Sequence, residues 1–248
     1  MAAVAPRSDD VMVEIGPGQG ALTTYLASSV KKFTAIDIDH RVIAQLQGTI
    51  SGRSVTFLCQ DVLETDLPSL AGAEKLRIVG NIPYNITSPI LFHILDHRQY
   101  IVDAVLMLQR EVARRLIARP HTKEYGILSV FCQLFADVAL LFDVSPNAFF
   151  PKPSVTSSVV QLAMLPSPRY QLHDEAFFRA MVRSVFGKRR KTLRNSLRYF
   201  LSERGHTLPP SPGLQARPED LTLQQLVELG NMLFARVSSL PSSPSPAS

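Results

Sequence analysis

Glycines alternate at three positions in Glu14-Ile15-Gly16-Pro17-Gly18-Gln19-Gly20, directly after the apolar run Val11 to Ile15. Leu22, Tyr25 and Leu26 then follow at helical spacing. An apolar run that ends in glycines and resumes as a helix predicts a strand, a tight turn and a helix. Small residues let a backbone come close to a ligand, and the helix that follows presents free amide groups. The spacing Gly-x-Gly-x-Gly differs from the Gly-x-Gly-x-x-Gly dinucleotide fingerprint, which argues against a nicotinamide-dependent oxidoreductase.

The same rhythm continues through much of the chain of 248 residues. Phe33 to Asp37, Val55 to Leu58, Leu76 to Val79 and Val102 to Leu108 read as further strands. Val42, Ile43 and Leu46, then Ile90, Leu91, Ile94 and Leu95, then Val112, Leu116 and Ile117 read as the helices between them. Strands alternating with helices predict an α/β fold with a parallel sheet covered on both faces. A helix over Tyr125 to Ala136 and late strands over Val138 to Val144 and Val155 to Leu165 follow. The loop Phe149-Phe150-Pro151-Lys152-Pro153 lies between those two strands. Pro166-Ser167-Pro168 reads as a linker. Beyond it the pattern is helical, through Phe177, Met181, Val185, Leu193, Leu197 and Phe200 and a last helix near Leu221 to Val237. The expected division is 1–166, 167–237 and a disordered Ser/Pro-rich tail over 238–248.

Composition restricts the options further. A formal charge of +5 is a weak pointer to an anionic partner unless the charges cluster. Cys59 and Cys132 stand in apolar surroundings and read as buried, reduced cysteines of a cytoplasmic protein. No run is long and apolar enough to cross a bilayer, and Met1 to Arg7 lacks the features of a secretory signal. His93, His97, His121, His173 and His206 show no metal-ligand spacing, so no metal is expected.

The expected strand ends carry a consistent set of polar groups. Asp37 ends the second strand, where a carboxylate can accept from both hydroxyls of a ribose. Asp61 follows the third, where it can accept from the amine of an adenine. The fourth runs into Gly80-Asn81-Ile82-Pro83-Tyr84-Asn85, which offers an amide, a carbonyl held by proline and an aromatic face. Those three groups suit a planar base gripped through an exocyclic amine. Ligands of open α/β sheets bind at the carboxyl ends of the strands, so these residues together predict a cofactor facing a base.

Glu14 to Gly20, Asp37, Asp61 and Asn81-Ile82-Pro83-Tyr84 resemble the motifs of class I S-adenosylmethionine-dependent methyltransferases acting on exocyclic amines. More narrowly, the chain resembles the ribosomal RNA adenine dimethyltransferases. Gly80 to Leu95, Gln109 to Leu116, Tyr125 to Val130, Phe149 to Val160 and Phe186 to Leu197 carry that likeness. Ser88 to Leu95 and the Tyr125 block look more like the housekeeping branch than the resistance branch that modifies large-subunit rRNA. The resemblance implies a seven-stranded, mostly parallel sheet domain followed by a small helical RNA-binding domain. It also implies dimethylation of two adjacent adenosines near the 3′ end of small-subunit rRNA. The partner would be the immature small ribosomal subunit, and the enzyme a cytoplasmic monomer. The cofactor would be S-adenosylmethionine, leaving as S-adenosylhomocysteine, with Glu14, Gly16, Gly18, Gly20, Asp37, Ile38, Asp61, Val62 and Asn81 around it.

The chemistry expected of these residues is positioning. The Asn81 side-chain oxygen and the Pro83 carbonyl would accept the two amine hydrogens, Tyr84 would stack on the base and Phe149 would close its other face. Arg183, Lys188, Arg189, Arg190, Lys191, Arg194 and Arg198 form a basic run with no acid among the cluster, which suits RNA phosphates. Arg114 and Arg115 would extend the track. One departure stands out: the first strand begins after Met1 to Asp10, without the Gln-Asn-Phe-Leu-like motif that family members usually carry ahead of it. Weak or absent cofactor binding, compared with a full-length form, is expected. A non-catalytic RNA-binding or ribosome-assembly factor on the same fold is the alternative from another class.

Overall fold

The computed structural model describes residues 3–50, 55–149, 152–187, 191–208 and 214–239. Among them the chain divides into two compact units, Met1–Ile117 with Phe135–Ser167, and Ala118–Leu134 with Pro168–Ser248. The sequence pattern keeps 118–134 with the first domain, whereas in the structure this segment groups with the second.

The first unit is built on a seven-stranded sheet. Its strands are β1 (Val11–Ile15), β2 (Lys32–Asp37), β3 (Val55–Cys59), β4 (Leu76–Asn81), β5 (Ile101–Gln109), β6 (Ala136–Val144) and β7 (Ser157–Met164). Their order is β3-β2-β1-β4-β5-β7-β6. The first five strands pair in parallel, and β7 runs antiparallel to both β5 and β6. The helices α1 (Ala21–Leu26), α2 (His40–Thr49), α3 (Leu67–Ala71), α4 (Thr87–Asp96) and α5 (Arg110–Leu116) lie between successive strands. β1 is buried along its whole length, in keeping with its unbroken apolar face and central place. β3 is an edge strand and is only partly buried. Cys59 at its end is therefore exposed, which corrects the expectation of two buried cysteines; Cys132 is buried as expected.

Two contacts set the geometry of the central strands. At the amino end of β4, Arg77 donates from Nε and Nη2 to the two carboxylate oxygens of Asp103 in β5, at 2.8 and 2.9 Å. It also donates to Asp10 Oδ2 at 2.7 Å and to the carbonyls of Ala5 and Val4 at 3.1 and 2.7 Å. All five N–H groups of the guanidinium are thereby used. They hold the segment before β1 against β4 and β5, and Val4 is buried there. At the carboxyl end, Gly80 pairs directly with Ile15. A Cβ on Gly80 would lie 2.5 Å from the Ile15 carbonyl oxygen and 3.2 Å from the Ile15 Cβ. Only glycine allows β1 and β4 to approach this closely.

The second unit is helical. It holds the Ile127–Leu134 part of α6 (Ile127–Phe135), with α7 (Glu175–Phe186), α8 (Leu193–Ser202) and α9 (Leu223–Ser239). Asp174 caps α7 by accepting from the Phe177 amide at 2.6 Å. Its core is aromatic: Phe177 meets the rings of Phe200 and Phe234 edge-on, and Phe131 meets Phe178 in the same way. Gly230 lets α9 settle against α7, since a Cβ there would lie 2.9 Å from the Phe178 ring. α9 extends to Ser239, two residues beyond the expected end of the last helix, and 240–248 fall outside the described residues.

Gly80→Ala should lower the free energy of unfolding by about 1–3 kcal/mol, the usual effect of overpacking a fixed contact. Gly48→Ala in α2, where nothing lies within 4 Å of the added Cβ, should raise it by roughly 0.5–1 kcal/mol. Urea denaturation of the two variants beside the parent chain measures both effects.

Candidate active site

The register brings four strand ends into one row. Ile15 pairs with Ile36 on one side and Gly80 on the other, Asp37 pairs with Cys59, and Asn81 pairs with Met107. β7 runs the opposite way, so its first residue, Ser157, lies opposite Gln109 and Val144, at the carboxyl ends of β5 and β6. The loop bearing Phe149 therefore leaves and rejoins the sheet at the same end as Asn81. Gly16, Gly18 and Gly20 all take left-handed backbone, with φ of 67°, 53° and 81°. The Gly16 amide donates to the Ile36 carbonyl at 3.0 Å. A Cβ on Gly16 would lie 3.3 Å from the Asn81 carbonyl oxygen, so the glycine loop leans directly on the Asn81 turn.

The other expected cofactor residues occupy different positions. Glu14 is only 2 % exposed and accepts from Thr23 Oγ1 at 2.6 Å, joining β1 to α1 beneath the glycine loop. Burial pushes its carboxyl up to about 7, against the opposing pull of the Thr23 hydrogen bond. Asp37 is half-buried and accepts from the Asp39 amide at 2.9 Å. Beside it Ile38 is 72 % exposed, an apolar side chain presented to solvent at a strand end. Asp61 caps the short turn Val62–Glu64 through the Leu63 amide at 2.9 Å. The Val62 side chain is buried, which leaves any ligand contact there to its backbone.

In the turn after β4, Asn81 is exposed, Tyr84 is half-buried and Ile82 is buried, with the Ile82 amide donating to the Met107 carbonyl at 3.1 Å. Tyr84 is held at both ends. Its hydroxyl is 2.8 Å from Ser157 Oγ, and its carbonyl lies 3.3 Å from Thr87 Oγ1. The Pro83 carbonyl accepts from the Ile86 amide at 3.3 Å and from Thr87 Oγ1 at 3.1 Å. The single Thr87 hydroxyl hydrogen is shared between the Pro83 and Tyr84 carbonyls, so the Pro83 carbonyl already has donors inside the turn where the sequence expects it to accept from an amine. Among the described residues no donor reaches the neighbouring Ile82 carbonyl. Phe149 is half-buried at the end of the turn Pro146–Ala148.

The sequence reading missed Thr87 and Ser157. A threonine three and four residues after the turn carbonyls is a recognisable local signal for back-bonding. Ser157, 73 residues from Tyr84, has no such signal. Of the basic residues, Arg114 and Arg115 lie exposed on α5, with Arg115 paired to Glu111. Arg183, Lys191, Arg194 and Arg198 are exposed on and beside α7 and α8, while Lys188, Arg189 and Arg190 lie outside the described residues.

This strand order, with a glycine loop after β1, acids after β2 and β3 and an Asn-Ile-Pro-Tyr turn after β4, defines a class I methyltransferase. The family model described as ribosomal RNA adenine dimethylase matches residues 1–230. The chain is 44 % identical over 235 residues to a ribosomal RNA small subunit methyltransferase A from Chlorobium phaeobacteroides, covering 95 % of this chain and 86 % of that one. It is 40 % identical to the protein of the same name from Nitrosospira multiformis, covering 96 % and 90 %. Among solved structures, a dimethyladenosine transferase from Plasmodium falciparum is 26 % identical, with a TM-score of 0.77 over 96 % of this chain and 94 % of that one. The 23S rRNA methyltransferase ErmE is 25 % identical, with a TM-score of 0.65 over 92 % and 93 %. The chain belongs to the ribosomal RNA adenine dimethylase family.

Glu14 makes stability depend on pH. Its carboxyl titrates higher in the folded chain than the usual value of 4.5. Between about 4.5 and about 7 the folded state therefore holds the extra proton, and stability falls as pH rises through that window. Glu14→Gln keeps an acceptor for Thr23 and removes the charge. In the absence of cofactor it should be more stable than the parent by up to about 3 kcal/mol at pH 8, with the gap shrinking toward pH 5. Denaturant unfolding of both chains at the two pH values measures the difference.

Proposed function

We propose that this chain transfers methyl groups from S-adenosylmethionine to the exocyclic amines of two adjacent adenosines near the 3′ end of small-subunit rRNA. It would do so in the cytoplasm, as a monomer, on the immature small ribosomal subunit. The observation that carries the reading is the contact between the glycine loop and the Asn81 turn. It sets a backbone cradle for a nucleoside cofactor beside an exposed amide and a fixed tyrosine.

The residues present fit an adenosyl group. The cradle is lined by left-handed glycines, the Asp37 carboxylate would receive the ribose hydroxyls, and exposed Ile38 would cover a ring face. Asp61 would accept from the adenine amine. When bound, S-adenosylmethionine supplies a methyl on a sulfonium, already activated toward displacement. The chain then has to position the acceptor. The Asn81 side-chain oxygen accepts one amine hydrogen. The Ile82 carbonyl, which no donor reaches among the described residues, accepts the other in place of Pro83. Drawing on both hydrogens turns the nitrogen lone pair away from the ring and toward the methyl. Tyr84 stacks on the base, its ring held by Ser157, and Phe149 closes the other face. A strong base is not needed, because the proton becomes acidic once the nitrogen is alkylated. After the first methyl one hydrogen remains, and a single acceptor suffices for the second transfer.

The helical unit is the RNA-binding domain in this reading. Arg183, Lys191, Arg194 and Arg198 meet phosphates, with Lys188, Arg189 and Arg190 between them in sequence. Phosphate contacts position the RNA and carry little sequence information. Arg114 and Arg115 add charge on the sheet unit, with Arg115 partly neutralised by Glu111.

Asn81→Ala should reduce transfer of labelled methyl to immature small subunits by about 10²–10³-fold, the scale for losing one fixed polar group aimed at developing charge. Its unfolding midpoint should match the parent's, because Asn81 is exposed. Transfer equal to the parent would remove Asn81 from the mechanism, and no transfer by the parent would overturn the enzymatic reading. Arg194→Ala and Arg198→Ala should each lower the slope of log affinity against log salt by about 1, read from RNA-binding titrations at several salt concentrations.

A further inference from the structure

A cleft lies at the carboxyl end of β5 and the amino end of β7, on the same sheet unit as the Asn81 turn. It has a volume of about 340 Å³ and is lined by Gln109, Arg110, Glu111, Ser154, Val155 and Thr156. That size falls in the range of small-ligand sites, roughly 300–1,000 Å³. Its walls are tied together, since the Arg110 amide donates to the Thr156 carbonyl at 3.0 Å. Its link to the site is short. Gln109 pairs with Ser157, and the Ser157 hydroxyl is 2.8 Å from the Tyr84 hydroxyl.

The lining groups match a nucleotide. Val155 is 38 % exposed and offers an apolar surface for a ring face. Gln109 carries both a donor and an acceptor for a base edge, and Ser154 and Thr156 add hydroxyls. The Arg110 guanidinium is half-exposed, and its acidic neighbour Asp143 stands off at 3.8 Å. Ser158 holds one Asp143 oxygen at 2.5 Å and the other faces only Nη1 of Arg110 at that long distance, so the guanidinium keeps donors for a phosphate. Glu111, the acid on the rim, is drawn to Arg115 one turn along α5.

We propose that this cleft is a subsite for the nucleotide adjacent to the target adenosine on the same RNA strand. The proposal rests on the reading of the Asn81 turn as the adenine site. A target adenosine seated there brings its covalently linked neighbour to the rim of the fold within one nucleotide's reach. The neighbour's base lies against Val155, its edge meets Gln109, and the linking phosphate meets Arg110. The cleft takes the neighbour on one fixed side of the target, so one of two adjacent adenosines is presented with the other beside it, which ties the neighbour requirement to a fixed feature of the sheet.

The test compares adenosine with the dinucleotide adenylyl-(3′,5′)-adenosine, each titrated into the full chain saturated with S-adenosylhomocysteine and followed by NMR. The parent should bind the dinucleotide about tenfold more tightly than adenosine, the scale of one added stacked base. Val155→Trp, which fills the cleft from an exposed position, should abolish that advantage and leave adenosine binding unchanged. Arg110→Ala should reduce the advantage and make what remains less sensitive to salt. Asn81→Ala should weaken both ligands and preserve their ratio. A parent that binds the two ligands equally overturns the subsite, as does an advantage that survives in Val155→Trp. If the parent transfers no methyl to small subunits while the Val155-dependent advantage persists, the subsite stands and the methyl-transfer reading falls.

Discussion

β1 and β4 meet at Ile15 and Gly80 with no room for a side chain on the β4 side. Nearly everything at the candidate site follows from that approach. The residue after Ile15 begins the glycine loop, and the residue after Gly80 is Asn81. Bringing the two strands together therefore brings a backbone suited to a nucleoside cofactor against an amide suited to an amine. The left-handed turn at Gly16 completes the arrangement, because a side chain there would crowd the Asn81 carbonyl. The separation of the glycine loop from the Asn81 turn is thus set by main-chain pairing in the middle of a sheet, where the structure has least freedom to deform.

The acceptor side is fixed by different means. The turn after β4 has no regular partner strand beyond Ile82, so its shape depends on hydroxyl groups from outside it. Thr87, at the start of α4, reaches the Pro83 and Tyr84 carbonyls, and Ser157, at the start of β7, reaches the Tyr84 hydroxyl. β7 lies between β5 and β6 and runs against both, which is why its amino end arrives at the carboxyl ends of its neighbours. The single reversed strand supplies the Tyr84 anchor, one wall of the neighbouring cleft and one end of the Phe149 loop.

The legible features were those whose cause is local. The glycine loop, the acids at strand ends and the Asn81 turn each lie within a few residues of the apolar run that positions them. The helical rhythm after Pro168 is periodic over several turns. What escaped the sequence depends on pairing across long separations. The order β5-β7-β6 cannot be read from the spacing of two late strands. The Tyr84–Ser157 contact joins residues 73 apart, and the Arg77–Val4 contact joins residues 73 apart as well. Cys59 looked buried because its neighbours are apolar, but β3 is an edge strand and its end is open. The Pro83 carbonyl looked available because proline fixes the turn. Its actual partners, Ile86 and Thr87, come from the helix start that the same turn creates.

The two ends of the central strands show opposite electrostatic solutions. At the amino end Arg77 has all five donors satisfied by Asp10, Asp103 and two carbonyls, a fully paired network of the kind that specifies a single arrangement. At the carboxyl end Glu14 is buried with one hydroxyl partner and, among the described residues, no cation beside it, and burial pushes its carboxyl up to about 7. A buried acid placed this way opposes folding at pH 8, and nothing in the packing of β1 requires it, since its neighbours in the strand are apolar. Its location explains its presence better than stability does. It lies beneath the glycine loop proposed as the cofactor cradle, and its Thr23 contact ties β1 to α1. Sites commonly keep such locally unfavourable groups where function depends on them. In this sheet the paired charges and the costly one stand two residues apart in register, Arg77 opposite Met12 and Glu14 opposite Val79, so the Arg77 network secures the strands beside the buried acid.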